Sequence, residues 1–278
     1  MKLCILVQVY NEFEPLEELA KSLMEQTLKP IKTIFIDDGS PDQRVLEEIK
    51  RLSEKYGELN IEPLVMPKKD EPNLDTIGRG LKKAWLSIKD TDIDYLSIID
   101  TDTRPSKHYY YKMIDILEKN PDYACASGVL VVKTEDDEYE EEINIGAKVG
   151  RKDARGAGKV IKTSFLKTID LDDFPEVAWD TWINTKAKIR KFKAPQVDDT
   201  HFYTSRPTTR VVKKDLHRNG RLTYLFGYNP ILLLMKVVLA RTGGLTLLKG
   251  YFQARKNKWR LKDKEVRDYF GWKFFLHF

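Results

Sequence analysis

Two aspartates one residue apart, Asp100 and Asp102, end an apolar run in the stretch SIIDTDTRP at residues 97–105. Such a pair can share a divalent cation, because Mg²⁺ and Mn²⁺ prefer oxygen ligands together with the oxygens of substrate phosphates. The same spacing recurs at positions 90/92, 92/94 and 170/172. The pattern alone therefore does not separate a metal site from solvated surface, and position in the fold has to decide.

A second acidic stretch, IDDGSPD at residues 36–42, also follows an apolar run. Here the carboxylate of Asp38 could accept hydrogen bonds from a nucleobase or a ribose, above a turn formed by Gly39 and Ser40. An Asx-turn and helix cap over residues 37–40 accounts for the same residues without any ligand. Both interpretations are open at this point.

The elements that would position these residues alternate along the first half of the chain. Five β-branched runs predict strands at Leu3–Val9, Thr33–Ile36, Ile61–Val65, Tyr95–Ile99 and Ala124–Val132. Apolar residues at helical spacing predict helices at Leu16–Gln26, Gln43–Tyr56, Asp75–Ile88 and Lys107–Asn120. This βαβα order predicts an α/β fold, a doubly wound and mostly parallel sheet with helices on both faces.

The predicted sheet separates the acidic pairs. Ligands of such sheets bind at the carboxyl ends of the strands. Residues 37 and 38 follow the second strand and residues 100 and 102 follow the fourth, whereas residues 90–94 precede a strand and residues 170–172 follow none. Only one Asp-x-Asp pair is expected where a ligand would bind.

Charge is divided unevenly along the 278 residues. Residues 1–184 carry 26 Lys and Arg against 37 Asp and Glu, a net of −11, whereas residues 185–278 carry 22 against 6, a net of +16. Such asymmetry indicates a C-terminal part that meets a polyanion, either nucleic acid or an anionic membrane. The two cysteines, Cys4 and Cys125, lie in apolar runs and are interpreted as buried thiols in a reducing compartment. The start of the chain does not resemble a signal peptide, so an intracellular location is expected.

The basic C-terminal part also contains apolar stretches. Residues 222–235 form an uncharged apolar run of fourteen residues, shorter than the roughly 20 that a spanning helix needs. Apolar helices bordered by Lys, Arg, Tyr and Trp are typical of segments that lie on anionic lipid. Long Leu and Val runs argue against nucleic acid, and a dimerising helical pair is the other alternative. We therefore predict a catalytic domain at 1–215 and a membrane-associating helical extension at 216–278.

Four stretches taken together resemble a known family. VQVYNE at 7–12, IDDGSPD at 36–42, IIDTDTRP at 98–105 and WDTW at 179–182 have the order and approximate spacing seen in family-2 glycosyltransferases of the GT-A fold. The C-terminal part is similar to prokaryotic members that build cell-surface polysaccharides and lipid-linked glycans. The resemblance implies an inverting, metal-dependent hexosyltransferase that uses a nucleotide sugar and Mg²⁺ or Mn²⁺.

The resemblance also implies roles for individual residues. The donor site would contain Tyr10, Asn11, Glu12, Asp38, Arg79, Asp100, Thr101 and Asp102. The metal would be held by Asp100, Asp102 and His201, with Asp102 the direct ligand. Because Asp38 is at the position where relatives bind uracil, UDP is the expected nucleotide, with dTDP and GDP left open.

On the acceptor side, Asp180 matches the general base of the family. The flanking rings of Trp179 and Trp182 would form an aromatic platform for the acceptor, since aromatic faces suit the apolar faces of sugars, or each ring could equally belong to the core. The chain departs from many relatives at two positions. Trp179 replaces a Glu, which leaves the general base Asp180 in place. Arg79 replaces an Asn, which leaves the identity of the donor's nucleobase open.

Two other functions are alternatives. A sugar-phosphate nucleotidyltransferase also pairs aspartates on an α/β sheet, but VQVYNE lacks the Gly-rich, Arg-containing loop expected after its first strand. A non-catalytic nucleotide-sugar-binding membrane scaffold would be expected to lose the base or the metal pair, and the sequence retains both. The expected partners are a nucleotide sugar, a lipid-linked or polysaccharide acceptor and the inner face of the cell membrane, with no nucleic acid and with a homodimer as an open alternative.

Overall fold

The computed structural model describes residues 1–67, 77–133, 139–141, 153–204, 213–240 and 243–271. The strands are β1 (Leu3–Val9), β2 (Lys32–Asp37), β3 (Ile61–Val65), β4 (Tyr95–Asp100), β5 (Thr103–Pro105), β6 (Cys125–Lys133), β7 (Tyr139–Glu141), β8 (Lys159–Lys162) and β9 (Gln196–Thr204). The helices are α1 (Leu16–Met24), α2 (Arg44–Lys55), α3 (Ile77–Ile88), α4 (Tyr109–Lys119), α5 (Thr163–Leu166), α6 (Trp179–Ile189), α7 (Lys213–Leu225), α8 (Pro230–Leu239), α9 (Gly244–Lys256) and α10 (Lys264–Phe270).

These strands form one sheet in the order β3-β2-β1-β4-β8-β6-β9-β5, with β7 paired to β6. The first four are parallel, and the register places Val7 of β1 beside Phe35 of β2 and Ile99 of β4. The predicted βαβα order is therefore confirmed, because β-branched runs buried on both faces alternate with helices that cross back over the sheet.

Each face of the sheet is covered by a helical layer. Helices α1, α2 and α4 pack their buried residues, such as Leu19, Ile49 and Ile114, on one face. Helices α3, α5, α6 and α10 cover the other face and share its core with Phe226, which follows α7. Residues beyond 215, such as Phe226, Val266 and Phe270, thus contribute to the same core cluster as residues of the predicted catalytic part, and the predicted domain boundary at 215 stays a prediction.

The second half of the sheet contains strands β8 and β9, which are not among the five strands predicted from the sequence. Strand β8 inserts between β4 and β6 and is antiparallel to both, and β9 runs parallel to β6. The four residues of β8 are too short to show a period, and the Gly-rich stretch before them suggested a loop. The acidic run at 135–142 and the Gly-containing stretch at 144–150 lie outside the described residues except for 139–141.

Candidate active site

The parallel strands bring the predicted site residues to one edge of the sheet. Val9 of β1 pairs with Asp37 of β2, and Gln8 pairs with Asp100 of β4. Since three strands end at the same level, the segment 10–12, the turn at 37–40 and the segment 100–102 all begin at this carboxyl edge. Asp100 and Asp102 therefore lie at the carboxyl edge of the sheet, where ligands of such sheets bind, as expected from the predicted strand order.

The turn after β2 is held by its own hydrogen bonds. The backbone N–H of Ser40 donates to Oδ1 of Asp37 at 2.9 Å, and the N–H of Asn11 donates to Oγ of Ser40 at 2.8 Å. Asn11 has a left-handed backbone with φ of 52°, which its short polar side chain tolerates, and Gly39 has φ of 78°. The side chain of Asp37 thus stabilises this turn, and Asp38, which is also 4% exposed, is the next residue at this edge of the sheet.

The loop after β4 is fixed to its neighbours by short polar contacts. The hydroxyl of Thr101 donates to Oε2 of Glu12 at 2.7 Å, which joins the ends of β4 and β1. The hydroxyl of Thr204, the last residue of β9, donates to Oδ2 of Asp102 at 3.1 Å. Asp100 is exposed at the strand end. Asp100 and Asp102 thus place two carboxylates on this loop, and carboxylate oxygens are the ligand type that Mg²⁺ and Mn²⁺ prefer.

Arg104 braces the same loop, and the sequence pattern did not single it out. One guanidinium nitrogen donates to the carbonyls of Thr101 and Thr103 at 2.7 and 3.0 Å, and the other donates to the carbonyl of Pro15 at 2.8 Å. Burial lowers the pKa of Arg104, although Glu18 at 3.3 Å opposes that shift. The fork of donors explains how an exposed carboxylate loop keeps one conformation.

His201, a predicted metal ligand, lies in β9, three residues before Thr204. Residues of β9 alternate in burial so that Thr204 faces the interior while His201 is on the opposite face. Three residues of strand correspond to about 10 Å. Within the described residues no three His, Cys, Asp or Glu side chains are close enough together to hold a metal ion. Thr204, whose hydroxyl contacts Asp102, is on the other face of β9 from His201, and the role of His201 as a metal ligand stays a prediction.

Asp180 lies in the first turn of α6, next to the Gly-rich turn that precedes β8. A Cβ atom placed on Gly156 would be 3.4 Å from Cβ of Asp180, so Asp180 packs directly against this turn. The N–H of Gly158 donates to the carbonyl of Ile98 at 2.9 Å, and β8 then continues antiparallel to β4. The Gly156–Gly158 turn thus flanks the end of β4, and Asp180 belongs to the same edge of the sheet as Asp100.

A buried lysine supports the helix that carries Asp180. The ammonium of Lys159 donates to the carbonyl of Asp180 at 3.0 Å and to Oδ1 of Asn184 at 2.6 Å, and it lies 5.5 Å from the centre of the Trp179 ring. Burial lowers the pKa of Lys159. The sequence analysis did not identify Lys159, because no pattern in KVIK at 159–162 distinguishes it.

The two tryptophans of WDTW are core residues. Trp182 is fully buried, its Nε1 donates to Oδ2 of Asp263 at 2.9 Å, and its ring packs edge-on against Phe174 with centroids 5.2 Å apart. Trp179 is 8% exposed. The predicted acceptor platform is therefore corrected for Trp182, because a ring buried on every side cannot stack on a sugar, and its partner Asp263 shows what the side chain does instead.

A cavity of about 370 Å³ opens beside Asp180. One wall is a face of α6, with Thr181, Asn184 and Thr185, and another is the segment 153–156. Tyr228 and Tyr269 from the C-terminal helices close the cavity. Hydroxyl, amide and carboxylate groups with aromatic rings at one end form the kind of lining that fits a polyhydroxylated ligand.

The C-terminal helices are tied to α6 by charged contacts. The buried ammonium of Lys186 lies 3.1 Å from Asp263 and 2.6 Å from Glu265, and Asp263 also caps α10 by accepting from the N–H of Val266 at 3.0 Å. These contacts fix α10, and with it Tyr269, against the helix that carries Asp180. The aromatic wall of the cavity therefore depends on the C-terminal part of the chain.

Helix α8 presents an apolar face to solvent. Leu234, Val238 and Leu239 are 63%, 67% and 67% exposed. The one charged residue of the helix, Lys236, turns inward: its ammonium donates to Oγ1 of Thr223 at 3.2 Å, lies 4.0 Å from the Tyr228 ring centre, and has its pKa lowered to about 8 by burial. In the described part of the chain, no helix has the length and apolar character needed to cross a bilayer.

Arg79 occupies the first turn of α3 and is exposed. It lines a second cavity, together with residues 172–177 and parts of α7, rather than the cavity beside Asp180. Its predicted contact with the donor base stays a prediction.

Comparisons with known proteins agree with this architecture. A mannosyltransferase from Pyrobaculum calidifontis, solved with GDP-Man and Mn²⁺, is 16% identical, with a TM-score of 0.65 over 92% of this chain and 88% of that one. TarS residues 1–349 from S. aureus, solved with UDP-GlcNAc, is 18% identical, with a TM-score of 0.56 over 92% of this chain and 74% of that one. At these identities the likeness shows a shared GT-A fold. No curated protein matches the chain significantly.

The family model for glycosyl transferase family 2 matches residues 4–217, a span that contains all the strands described above except the first residue of β1, together with Asp38, Asp102 and Asp180. The fold, the order of the motifs and this match agree. The chain belongs to glycosyl transferase family 2 and is a glycosyltransferase.

Proposed function

We propose that this glycosyltransferase is an inverting, metal-dependent enzyme that moves a sugar from a nucleotide sugar, with UDP the expected nucleotide, to a membrane-associated acceptor such as a lipid-linked or cell-surface glycan. One observation carries the proposal: Asp180 and the Asp100–Asp102 loop lie at the same edge of the sheet, and a polar cavity opens beside Asp180. Transfer by a single displacement requires a general base on one side of the anomeric carbon and the donor's diphosphate on the other.

On the donor side, Tyr10, Asn11 and Asp38 would line the nucleotide pocket. Asp38 is buried to 4% exposure at the end of β2, so its carboxylate is suited to a directed hydrogen bond with a base. Glu12 and Thr101, which bond to each other, would keep the β1 and β4 ends at a fixed spacing beneath the donor.

The residues present also fit a divalent cation. Asp102 would be the direct ligand and Asp100 would support it, since both are carboxylates at a strand end and Thr204 and Arg104 hold their loop. When bound, the cation supplies positive charge to the leaving diphosphate. The Mn²⁺ in the Pyrobaculum enzyme supports this proposal.

On the acceptor side, Asp180 would be the general base. Its carboxylate would accept the proton of the acceptor hydroxyl while the oxygen forms a bond to the anomeric carbon. The bond from that carbon to the diphosphate oxygen breaks, and its electron pair leaves with the nucleotide. Tyr228 and Tyr269 would replace Trp182 as the aromatic surface for the acceptor sugar, because they line the cavity and Trp182 does not.

The transfer is tested by a screen of UDP-, GDP- and dTDP-sugars in the presence of Mn²⁺. Thermal shift first identifies the donors that stabilise the protein, as a ligand of the folded state must. Release of nucleotide from at least one stabilising donor is the expected result.

The exposed apolar face of α8 supports a peripheral location on the inner face of the cell membrane. Its side chains are exposed although water disfavours them, and the helix is only ten residues long. Lys and Arg residues of the C-terminal part would add attraction to anionic lipid, on the order of 1 kcal/mol for each one close to the surface.

We expect the full-length protein to float with anionic liposomes at low salt, and the variant Leu234→Gln to float less. Leu234 is 63% exposed, so its replacement removes lipid contact without opening the core. The matched control is Leu86→Gln on α3, where the leucine is 46% exposed and on another element. Equal flotation of the wild type and both variants, or no flotation of the wild type, would contradict a lipid contact at Leu234. Either result would favour the alternative that α8 is a dimer contact.

A further inference from the structure

A second cavity, of about 490 Å³, lies on the outer side of α3. It forms where the segment 172–177, helix α7 and the segment 259–262 meet the first turns of α3, so distant parts of the sequence build it. Among the described residues it shares no lining residue with the cavity beside Asp180. Its volume falls in the range of small-molecule sites.

The lining of this cavity is rich in cations. The positively charged residues are Arg79, Lys82, Arg218, Arg221, Arg260 and Lys262. Among the described residues, three carboxylates, at positions 172, 173 and 176, also line the cavity, so the described part of the lining carries a formal charge of +3. Lys82 is paired with Asp172 at 3.5 Å. A concave surface with this excess of positive charge attracts an anion.

Two of the guanidinium groups are oriented by aromatic rings. Arg221 lies 5.9 Å from the centre of the Trp259 ring, and Arg260 lies 5.2 Å from the centre of the Tyr224 ring and donates from Nε to its hydroxyl at 3.3 Å. Contact with a ring restricts the side chain but leaves N–H groups at the edge of the guanidinium. Guanidinium groups held in this way are suited to paired hydrogen bonds with phosphate oxygens.

The rest of the lining is apolar. Leu222, Leu225 and Phe174 contribute to the walls, and Trp259 is 38% exposed. The cavity thus combines guanidinium groups with hydrocarbon, which fits a phosphate ester better than a free inorganic ion.

The cavity is also connected to the helix that carries Asp180. Its wall residue Val177 precedes Asp180 by three residues, a span of about 10 Å at most. The carbonyl of Glu176 accepts from the N–H of Gly78 at 3.0 Å, which fixes this wall to α3. A ligand in the cavity would therefore be held close to the start of α6.

We infer that this cavity binds the phosphate or diphosphate group of a phosphorylated acceptor, with Arg221 as its principal ligand. The inference rests on the proposed glycosyl transfer, because it assigns the group to the acceptor. It names the chemical class of that acceptor as a phosphate ester with an apolar portion.

The test is calorimetry of the full-length protein with inorganic pyrophosphate in metal-free buffer. Arg221→Gln is expected to weaken pyrophosphate binding by about tenfold or more, the size of one lost charge-assisted interaction. Arg221→Lys keeps the positive charge but loses the planar set of guanidinium donors, so its affinity for pyrophosphate should lie between those of the wild type and Arg221→Gln. The matched control is Arg255→Gln, an exposed arginine of α9 that does not line the cavity, which should bind as wild type does.

A second arm separates this site from the donor site. Arg221→Gln should leave UDP affinity with Mn²⁺ unchanged, and Asp102→Ala should leave pyrophosphate affinity unchanged. Pyrophosphate binding that is lost in Asp102→Ala and retained in Arg221→Gln would overturn the inference without touching the proposed function. Failure of UDP and Mn²⁺ to bind the wild type would instead count against the proposed function alone.

The source of the phosphate is identified with farnesyl diphosphate and the same Arg221 variants. If farnesyl diphosphate binds more tightly than pyrophosphate, and Arg221→Gln still weakens its binding, the site is assigned to a prenyl-linked acceptor. Equal affinity assigns it to a water-soluble phosphate ester. If Arg221→Gln binds farnesyl diphosphate as tightly as the wild type does, the inference that this cavity binds the phosphate group is contradicted.

Discussion

The variant Asp180→Asn is expected to lose transfer activity on the order of 10²–10⁴-fold while it binds the donor normally. The change is nearly isosteric, so α6 and the contact with Gly156 are kept, but the amide cannot accept the hydroxyl proton. The rate of nucleotide release at saturating donor measures the loss, and calorimetry with UDP and Mn²⁺ verifies that donor binding is intact.

The matched control is Asp153→Asn. Asp153 lines the same cavity but lies 2.6 Å from the ammonium of Lys188, which makes it an ion-pair residue and not the base. It should retain most of the activity. Near-normal turnover in Asp180→Asn would move the base elsewhere, to Asp198 or Asp199 in β9, which are exposed.

The variant Asp102→Ala is expected to lose the part of UDP affinity that depends on Mn²⁺. Even residues that only orient metal ligands contribute about 10- to 100-fold to metal affinity, so removal of a direct ligand should cost at least that much. Thr204 and Arg104 would remain in place, so the loop itself should persist. Titration of UDP into each protein by calorimetry, with Mn²⁺ and with a chelator, measures the effect.

Asp92→Ala is the control for this prediction, because Asp92 belongs to another Asp-x-Asp pair. It lies before β4, at the other end of the sheet, and pairs with Lys2. UDP affinity in this variant should match the wild type with and without Mn²⁺. Equal affinities in wild type and Asp102→Ala under both conditions would remove the metal role from the aspartate pair.

The part of the fold that the sequence predicts is the part with long periodic elements. Strands β1 and β4 are buried on both faces and appear as continuous apolar runs, so their ends could be placed to within a residue. Asp38 and Asp100 follow such runs, and their shared edge followed from the parallel order. The location of Asp180 could be assigned only through the resemblance to a family.

Contacts between distant segments were not predictable. Lys159 appears as one charge at the start of a four-residue strand, and only the fold shows that it bonds to the backbone of Asp180. Trp182 is two residues from Asp180 in the sequence, yet it lies on another face of α6 and donates a hydrogen bond to Asp263 in the core. Alternation along β9 places His201 and Thr204 on opposite faces, a consequence of register that needs the partner strand to be known.

Sugar transfer from a nucleotide donor, with Asp180 as the general base, is the central proposal for this protein. Nucleotide release should therefore be measured for wild type and Asp180→Asn with a panel of UDP-, GDP- and dTDP-sugars in Mn²⁺. We expect the wild type to release nucleotide from at least one donor, the chelator to abolish the release, and Asp180→Asn to bind that donor without turning it over. A wild-type protein that binds no nucleotide sugar, or a variant that releases nucleotide at the wild-type rate, would contradict the account.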